Sequence, residues 1–275
     1  MPSDGLALAQ RMMDSLFAFN TYEAGSVVPT TYDDYARVLH PARGNDGIVR
    51  WSEIARWSGR TYHPAMQFEA IAEPVAGRAP APPPWDGTLP APLHLADVRA
   101  LARVLSAFTA TPSTVWCLVW DGYGDLPPSV GPRVVRPQRS YRLHLCTLAE
   151  IQTRQAPVGH PEPPEYWFPE DAAWCVATDM DLFWTYVGGT RACVGAVLSC
   201  GELEALRADL HDGLTVESDE INRLTPLERQ RWERAPSPVR GDDDRSRRTK
   251  PLPRALPPAT PDRRRATSQS VRLRE

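Results

Sequence analysis

Apolar residues in the first 110 positions recur every three or four residues, which is the spacing of one face of a helix. Residues 5–19 and 95–108 follow this spacing over several turns. The stripes consist of Leu6, Ala9, Met13, Leu16 and Phe17 in the first segment, and of Leu95, Val98, Leu101, Ala102, Leu105 and Phe108 in the second. Both segments are therefore predicted to be amphipathic helices.

Two shorter stretches of the same region carry helix start and stop signals. In "VPTTYDDYARVLHPA" Thr31 is placed as an N-cap and Pro41 as a terminator, which predicts a helix between them. "RWSEIARWSGR" predicts another short helix, which Gly59 ends. The N-terminal region is therefore predicted to consist of short helices.

The pattern changes after residue 112, where short runs rich in β-branched and aromatic residues are bounded by Gly, Pro or Asp. These runs are "TVWCLVWD" (114–121), "RSYRLHLCTL" (139–148), "AAWCVATD" (172–179) and "RACVGAVLSC" (191–200). They predict the strands of a mainly antiparallel sheet. Helices are predicted at "GELEALRADL" and at "TPLERQRWERA", where Thr225 and Glu228 have the spacing of a capping box.

Together these patterns predict an α+β fold, with short N-terminal helices packed on a mainly antiparallel sheet. Residues 1–234 are expected to form a single globular domain, in which the Pro-rich stretch 74–92 is a surface connector. Residues 235–275 are rich in Arg and Pro and poor in large apolar side chains, so we expect a disordered tail.

Composition and charge narrow the function classes. Residues 1–233 carry 19 basic and 29 acidic residues, and this acidic body argues against a specific nucleic-acid surface. No apolar stretch is long enough to span a bilayer and the N-terminus does not resemble a secretory signal, so we expect a cytoplasmic protein. The five cysteines lack CxxC pairing, which favours buried thiols over disulfides or a zinc site.

A six-residue similarity links two predicted strands. "WCLVWD" (116–121) and "WCVATD" (174–179) share Trp, Cys, two aliphatic residues and Asp at the same offsets. Either the chain contains a duplicated strand-turn unit, or two central strands meet the same packing requirement.

Aromatic residues and aspartates follow both of these strands and suggest a site. If the strands are neighbours, four aromatic side chains line one cleft with four aspartates on its rim, namely Trp120, Tyr123, Trp184 and Tyr186 with Asp121, Asp125, Asp179 and Asp181. Such a surface suits a protein partner or a cationic or sugar ligand. The alternative is that these aromatic residues fill the core.

Four carboxylates surround the second strand: Glu170, Asp171, Asp179 and Asp181. Paired carboxylates can hold Mg²⁺ or Ca²⁺ or divide acid and base roles, which would suit a metal-assisted hydrolase or transferase. Aspartate also ends strands and caps turns, which is the structural interpretation.

The familiar nucleotide, zinc-protease, serine-hydrolase and EF-hand motifs are absent from the sequence. We therefore predict no cofactor, no catalytic set and no metal site. The favoured function is a non-catalytic intracellular binding protein, with the metal-assisted enzyme as the alternative. A protein partner is expected, a membrane or specific nucleic acid is not, and any small-molecule ligand is undefined.

The blocks "YARVLHPA", "VWCLVWDGYG" and "YWFPEDAAWCVATDMDLFWTYVGGTRACV" resemble an uncharacterised family of soluble proteins encoded in high-GC bacterial genomes. The resemblance spans roughly residues 25 to 222. It implies that the two Trp-Cys strands and a tight bend at "TYVGG" form a shared framework, and it supplies no catalytic residue. The acidic, Trp-rich α+β character is also similar to small bacterial toxin-neutralising proteins.

Overall fold

The computed structural model describes residues 2–45, 47–78, 82–123, 131–153 and 163–234. The helices are α1 (Pro2–Asp14), α2 (Trp51–Ser58), α3 (Phe68–Ala72), α4 (Leu95–Leu105), α5 (Leu148–Ile151), α6 (Arg191–Leu198) and α7 (Pro226–Arg234). The strands are β1 (Asp34–Leu39), β2 (Ala42–Gly44), β3 (Gly47–Val49), β4 (Val115–Trp120), β5 (Arg133–Arg136), β6 (Arg139–Cys146), β7 (Tyr166–Pro169), β8 (Trp174–Ala177), β9 (Trp184–Gly189) and β10 (Ala205–Arg207).

Eight strands form one sheet in the order β10-β1-β9-β8-β7-β4-β6-β5. Within the described residues, each pair of neighbouring strands in this sheet is antiparallel. The strands β2 and β3 form a separate hairpin. The predicted α+β fold with a mainly antiparallel sheet is confirmed, while the predicted disordered tail, residues 235–275, lies outside the described residues.

Both faces of the sheet are covered, which divides the core into two layers. One face, here called the α1 face, packs against α1, α2 and α3. The opposite face, the α4 face, packs against α4, α5 and α6. Because side chains alternate along a strand, the central strands bury residues in both layers and are apolar at nearly every position.

Several helices begin and end where the sequence signals lie. The predicted helix over 5–19 corresponds to α1, which ends earlier, at Asp14, and the one over 95–108 corresponds to α4, which ends at Leu105. Gly59 takes the left-handed conformation after α2, and its N–H donates to the carbonyl of Ala55. Before α7, Thr225 N–H donates to Glu228 at 2.7 Å and Glu228 N–H donates to Thr225 Oγ1 at 3.3 Å, so the capping box is present.

The helix predicted between Thr31 and Pro41 is wrong, because residues 34–39 form strand β1. Tyr35 and Leu39 lie in the α1 layer, while Ala36 and Val38 lie in the α4 layer. A segment that is buried on both faces has no polar side. The spacing of its apolar residues therefore did not distinguish a helix from a strand. Pairing with β9 and β10 on either side favours the strand.

Two further segments exchange their predicted states. "RACVGAVLSC" is helix α6 rather than a strand, because Thr190 caps it by accepting the Cys193 N–H at 3.2 Å. The predicted helix at "GELEALRADL" instead contains β10, which pairs with the outer side of β1. The helix thus depends on a local cap, whereas the strand state of β10 depends on its pairing with β1.

The two Trp-Cys strands, β4 and β8, belong to the same sheet but are not neighbours, because β7 lies between them. Trp116 lies in the α1 layer, whereas Trp174, at the equivalent sequence offset, lies in the α4 layer. A duplicated unit would point both indoles to one face. The shared residues therefore reflect two central strands that are buried on both sides.

The glycine pair of "TYVGG" lies inside strand β9 and not at a tight bend. A Cβ atom at Gly188 would stand 2.6 Å from Cδ2 of Tyr32. Gly188 is therefore needed because the Tyr32 ring packs directly on the strand, and the predicted bend is wrong.

A buried carboxylate fastens the C-terminal segment to the N-terminal half. Asp219 is fully buried and accepts hydrogen bonds from the backbone N–H groups of Gln67 at 3.1 Å and Asn222 at 2.8 Å. Its carboxylate also lies 3.0 Å from His63 Nε2. These bonds tie the chain around residue 219 to the segment that covers the α1 layer.

Candidate functional site

The C-terminal ends of β4 and β8 lie at the same end of the sheet. Each strand is antiparallel to β7, so the two strands run parallel to each other and leave the sheet in the same direction. Trp120, the last residue of β4, Asp121 and Tyr123, which follow β4, and Asp179 and Asp181, which follow β8, are called the β4–β8 edge below. The structure thus brings five of the eight predicted site residues to one end of the sheet, and Asp125 lies outside the described residues.

Arg139, at the start of β6, joins the two halves of this edge. Its guanidinium carbon stands 5.2 Å from the centroid of the Trp120 ring, which is a cation–π distance. Its Nη2 atom lies 3.5 Å from Asp179 Oδ2 and 3.8 Å from Asp181 Oδ2. One side chain therefore contacts residues from both strand ends.

The buried carboxylate of Glu165 accepts hydrogen bonds from the β4 half of this edge. The Tyr123 hydroxyl donates to Glu165 Oε1 at 2.6 Å and the Trp120 N–H donates to Oε2 at 2.8 Å. The Trp120 and Tyr123 rings pack edge to face with centroids 5.3 Å apart. Burial raises the pKa of Glu165 to about 7, although these two hydrogen bonds oppose the shift.

The carboxylates of the edge are paired with arginines, so the rim carries both signs of charge. Asp121 contacts Arg142 and lies 3.0 Å from Arg133 Nη2, while Asp179 and Asp181 face Arg139. The prediction placed aspartates on the rim and did not include these arginines. The arginines come from β5 and β6, which the antiparallel pairing places beside β4.

The other two predicted site residues, Trp184 and Tyr186, lie in the core and not on the edge. They are 2% and 1% exposed and belong to the α1 layer. Arg37 stacks on the Trp184 ring at 3.8 Å, and Trp51 of α2 covers it at 6.4 Å. As alternate residues of β9 they face the helices that cover this layer, so filling the core is their role.

The four carboxylates of the alternative hypothesis are divided between the two ends of β8. Asp171 precedes β8, and its carboxylate accepts the Thr109 hydroxyl and, at 2.7 Å, the Ala110 N–H. Glu170 is adjacent to it, whereas Asp179 and Asp181 follow β8. Within the described ranges, no group of three or more His, Cys, Asp or Glu side chains is placed to hold a metal ion. The alternative therefore has no common site.

Two residues that matter at this edge were not identified from the sequence. Glu165 directly precedes the aromatic run "YWFP", and an acidic residue next to such a run is the signal that could have identified it. Arg139 starts the strand "RSYRLHL" and carried no signal beyond its charge. Both residues reach this edge only because of the order in which the strands pair. The spacing of residues along the sequence does not show that order.

All five cysteines are free, and four of them are buried, as predicted. Among the described residues no helix combines the length and the apolar character that crossing a bilayer requires.

Comparisons of the chain with protein-family models, with curated proteins and with solved structures found no match. The resemblance to a family of high-GC bacteria stays a prediction. The functional inference therefore rests on the geometry of the β4–β8 edge.

Proposed function

We propose that this chain is a non-catalytic protein-binding module whose recognition surface is the β4–β8 edge. The single observation that carries this proposal is the placement of Arg139, which contacts Trp120 from one strand end and Asp179 and Asp181 from the other. Two segments that are far apart in sequence are thereby held as one surface. Supports of this kind fix side chains before a partner arrives, which lowers the entropy cost of binding.

The residue types at the edge favour a protein partner over a small ligand. Trp, Tyr and Arg are the residues that most often dominate binding energy at protein interfaces. Here one of each is in contact, because Tyr123 packs edge to face with Trp120 and Arg139 lies over the Trp120 ring. The surrounding ion pairs match the polar rim that encloses such a centre. Asp181, whose side chain is 48% exposed, is the carboxylate most accessible to a partner.

Charge suggests what the partner carries. The body of the chain, residues 1–233, has ten more acidic than basic residues. A basic partner is attracted to such a body, and the association weakens as salt screens it. This matches the toxin-neutralising role that the acidic, Trp-rich character suggested, and we place the interaction in the cytosol.

The test compares two charge reversals in the full-length protein. Asp181→Lys alters the β4–β8 edge, while Glu53→Lys makes the same change in charge at an exposed position on α2. Partners are captured from the native cytosol, identified, purified and titrated against each variant at several salt concentrations. Circular dichroism and thermal melting verify that both variants fold.

We expect the wild-type protein and Glu53→Lys to bind one partner with equal affinity, and Asp181→Lys to bind it at least tenfold more weakly. Equal binding by all three proteins would refute the proposed surface. The absence of any stoichiometric partner, combined with turnover in a substrate screen, would refute the proposed class of function.

A further inference from the structure

A second candidate site lies at the opposite end of β8 and β9 from the β4–β8 edge. A cavity of about 440 Å³ opens between α1, the segment before β1, the turn before β8 and the end of β9. It is called the α1 cavity here. Its apolar wall includes Leu8 and Met12 of α1 and Ala172 and Ala173 of the turn. This volume lies within the range of pockets that hold small organic molecules.

Two side chains of opposite charge line the same cavity. Arg11 lies on α1, and Asp33 immediately precedes β1. Both are exposed, and in the part of the chain that the structure describes neither side chain makes a hydrogen bond or an ion pair. The adjacent Asp34 differs, because it is paired with Arg207. The cavity therefore has one cation and one anion available to a ligand.

One part of the cavity wall is fixed by packing. The Tyr32 ring rests on Gly188 of β9, where a side chain would collide with it. Its hydroxyl oxygen is buried and has no hydrogen-bond partner among the described residues. Gly189 and Thr190 continue the lining, and Thr190 is held as the N-cap of α6. The cavity thus has one wall built from a strand, a helix start and an immobilised ring.

We propose that the α1 cavity binds a zwitterionic small molecule with a large apolar group, of the class of the apolar and aromatic α-amino acids. The carboxylate of the ligand pairs with Arg11, its ammonium group pairs with Asp33, and its apolar side chain packs on Leu8 and Met12. A ligand with only an anionic head meets the uncompensated charge of Asp33, and one with only a cationic head meets that of Arg11. Opposite charges on one apolar cavity therefore select a ligand that carries both.

The first test uses L-phenylalanine and L-tryptophan as probes of the full-length protein. Methionine methyl groups labelled with ¹³C report binding by NMR, because Met12 lines the cavity whereas Met66 lies in the core away from it. We expect saturable shifts of the Met12 signal with no change at Met66. Phenethylamine, which lacks the carboxylate, and 3-phenylpropionate, which lacks the ammonium group, are expected to bind at least tenfold more weakly.

The second test changes the protein instead of the ligand. Arg11→Gln and Asp33→Asn are each expected to weaken binding of the better probe at least tenfold. Arg43→Gln and Glu53→Gln remove one positive and one negative charge at exposed positions outside the cavity and should leave binding unchanged.

Three results would overturn the proposal. The first is the absence of a saturable Met12 shift with either probe up to solubility. The second is equal binding of a probe and an analogue that has only one charge. The third is binding that survives both Arg11→Gln and Asp33→Asn. A partner bound at the β4–β8 edge would leave each of these results interpretable, since the two sites lie at opposite ends of β8.

Discussion

Replacing Glu165 by glutamine should change how the stability of the protein depends on pH. Burial raises the pKa of this carboxyl from its ordinary value of 4.5 to about 7. Between these values the folded chain holds a proton that the unfolded chain has released, so the free energy of unfolding falls as pH rises. The loss is complete only above the folded pKa, near pH 8.

The size of the effect follows from the two pKa values. Linkage between a folded pKa of about 7 and an unfolded value of 4.5 removes about 2–3 kcal/mol of stability between pH 5 and pH 8. A glutamine at position 165 resembles the protonated acid. Its oxygen can accept the Trp120 N–H while its amide group donates to the Tyr123 hydroxyl, so both contacts are kept.

The assay is urea unfolding of the wild-type protein and of Glu165→Gln from pH 5 to pH 8. Relative to the wild type, we expect the variant to gain about 2–3 kcal/mol as pH rises through this window. All other titrating groups are common to both proteins and cancel in the difference. Glu53→Gln, at an exposed position on α2, should show no such trend. A difference that stays constant from pH 5 to pH 8 would refute the account of Glu165 as a buried, proton-holding support.

The remaining predictions concern the core. Asp219→Ala should lower the free energy of unfolding by about 3–5 kcal/mol in urea denaturation, because it leaves the buried N–H of Gln67 and the partly buried ring of His63 without their carboxylate partner. A loss below about 1 kcal/mol would contradict this view of Asp219. Gly188→Ala should cost about 1–3 kcal/mol because the new methyl group meets the Tyr32 ring. Gly195→Ala, where nothing lies within 4 Å of the new methyl group, should instead stabilise helix α6 by up to about 1 kcal/mol, and equal effects at both glycines would show that steric contact is not the cause.

The sequence predicted those elements of the fold whose pattern has a polar side. Helix α2 alternates buried and exposed faces and ends at a glycine, so its spacing and its stop signal agreed. Strand β1 and helix α6 are largely apolar, so their patterns of apolar and polar residues do not distinguish a strand from a helix. Contacts with neighbouring elements determine which of the two forms. The burial of Arg37 inside β1, stacked on Trp184, is a long-range outcome that local spacing could not show.

The candidate site was predictable only in part for the same reason. The sequence predicted a shared cleft only if the two Trp-Cys strands were neighbours, and they are not. Asp179 and Asp181 nevertheless lie at the same end of the sheet as Trp120, where all three contact Arg139. Strand β7, which pairs with β4, places the preceding residue Glu165 next to the β4–β8 edge. Strand β6, on the other side of β4, places Arg139 there. Both contributions come from strand order, which depends on the whole chain and is not encoded in any short stretch of it.

The most direct measurement of the central claim is hydrogen exchange of the chain with and without its captured partner. Residues 120–123 and 178–183 follow different strands and are separated by more than fifty positions in sequence. If they form one recognition surface, amides of both segments become protected together on binding, while the segment 47–53 is unchanged. Protection of only one of the two segments, or protection confined to another part of the molecule, would contradict the account.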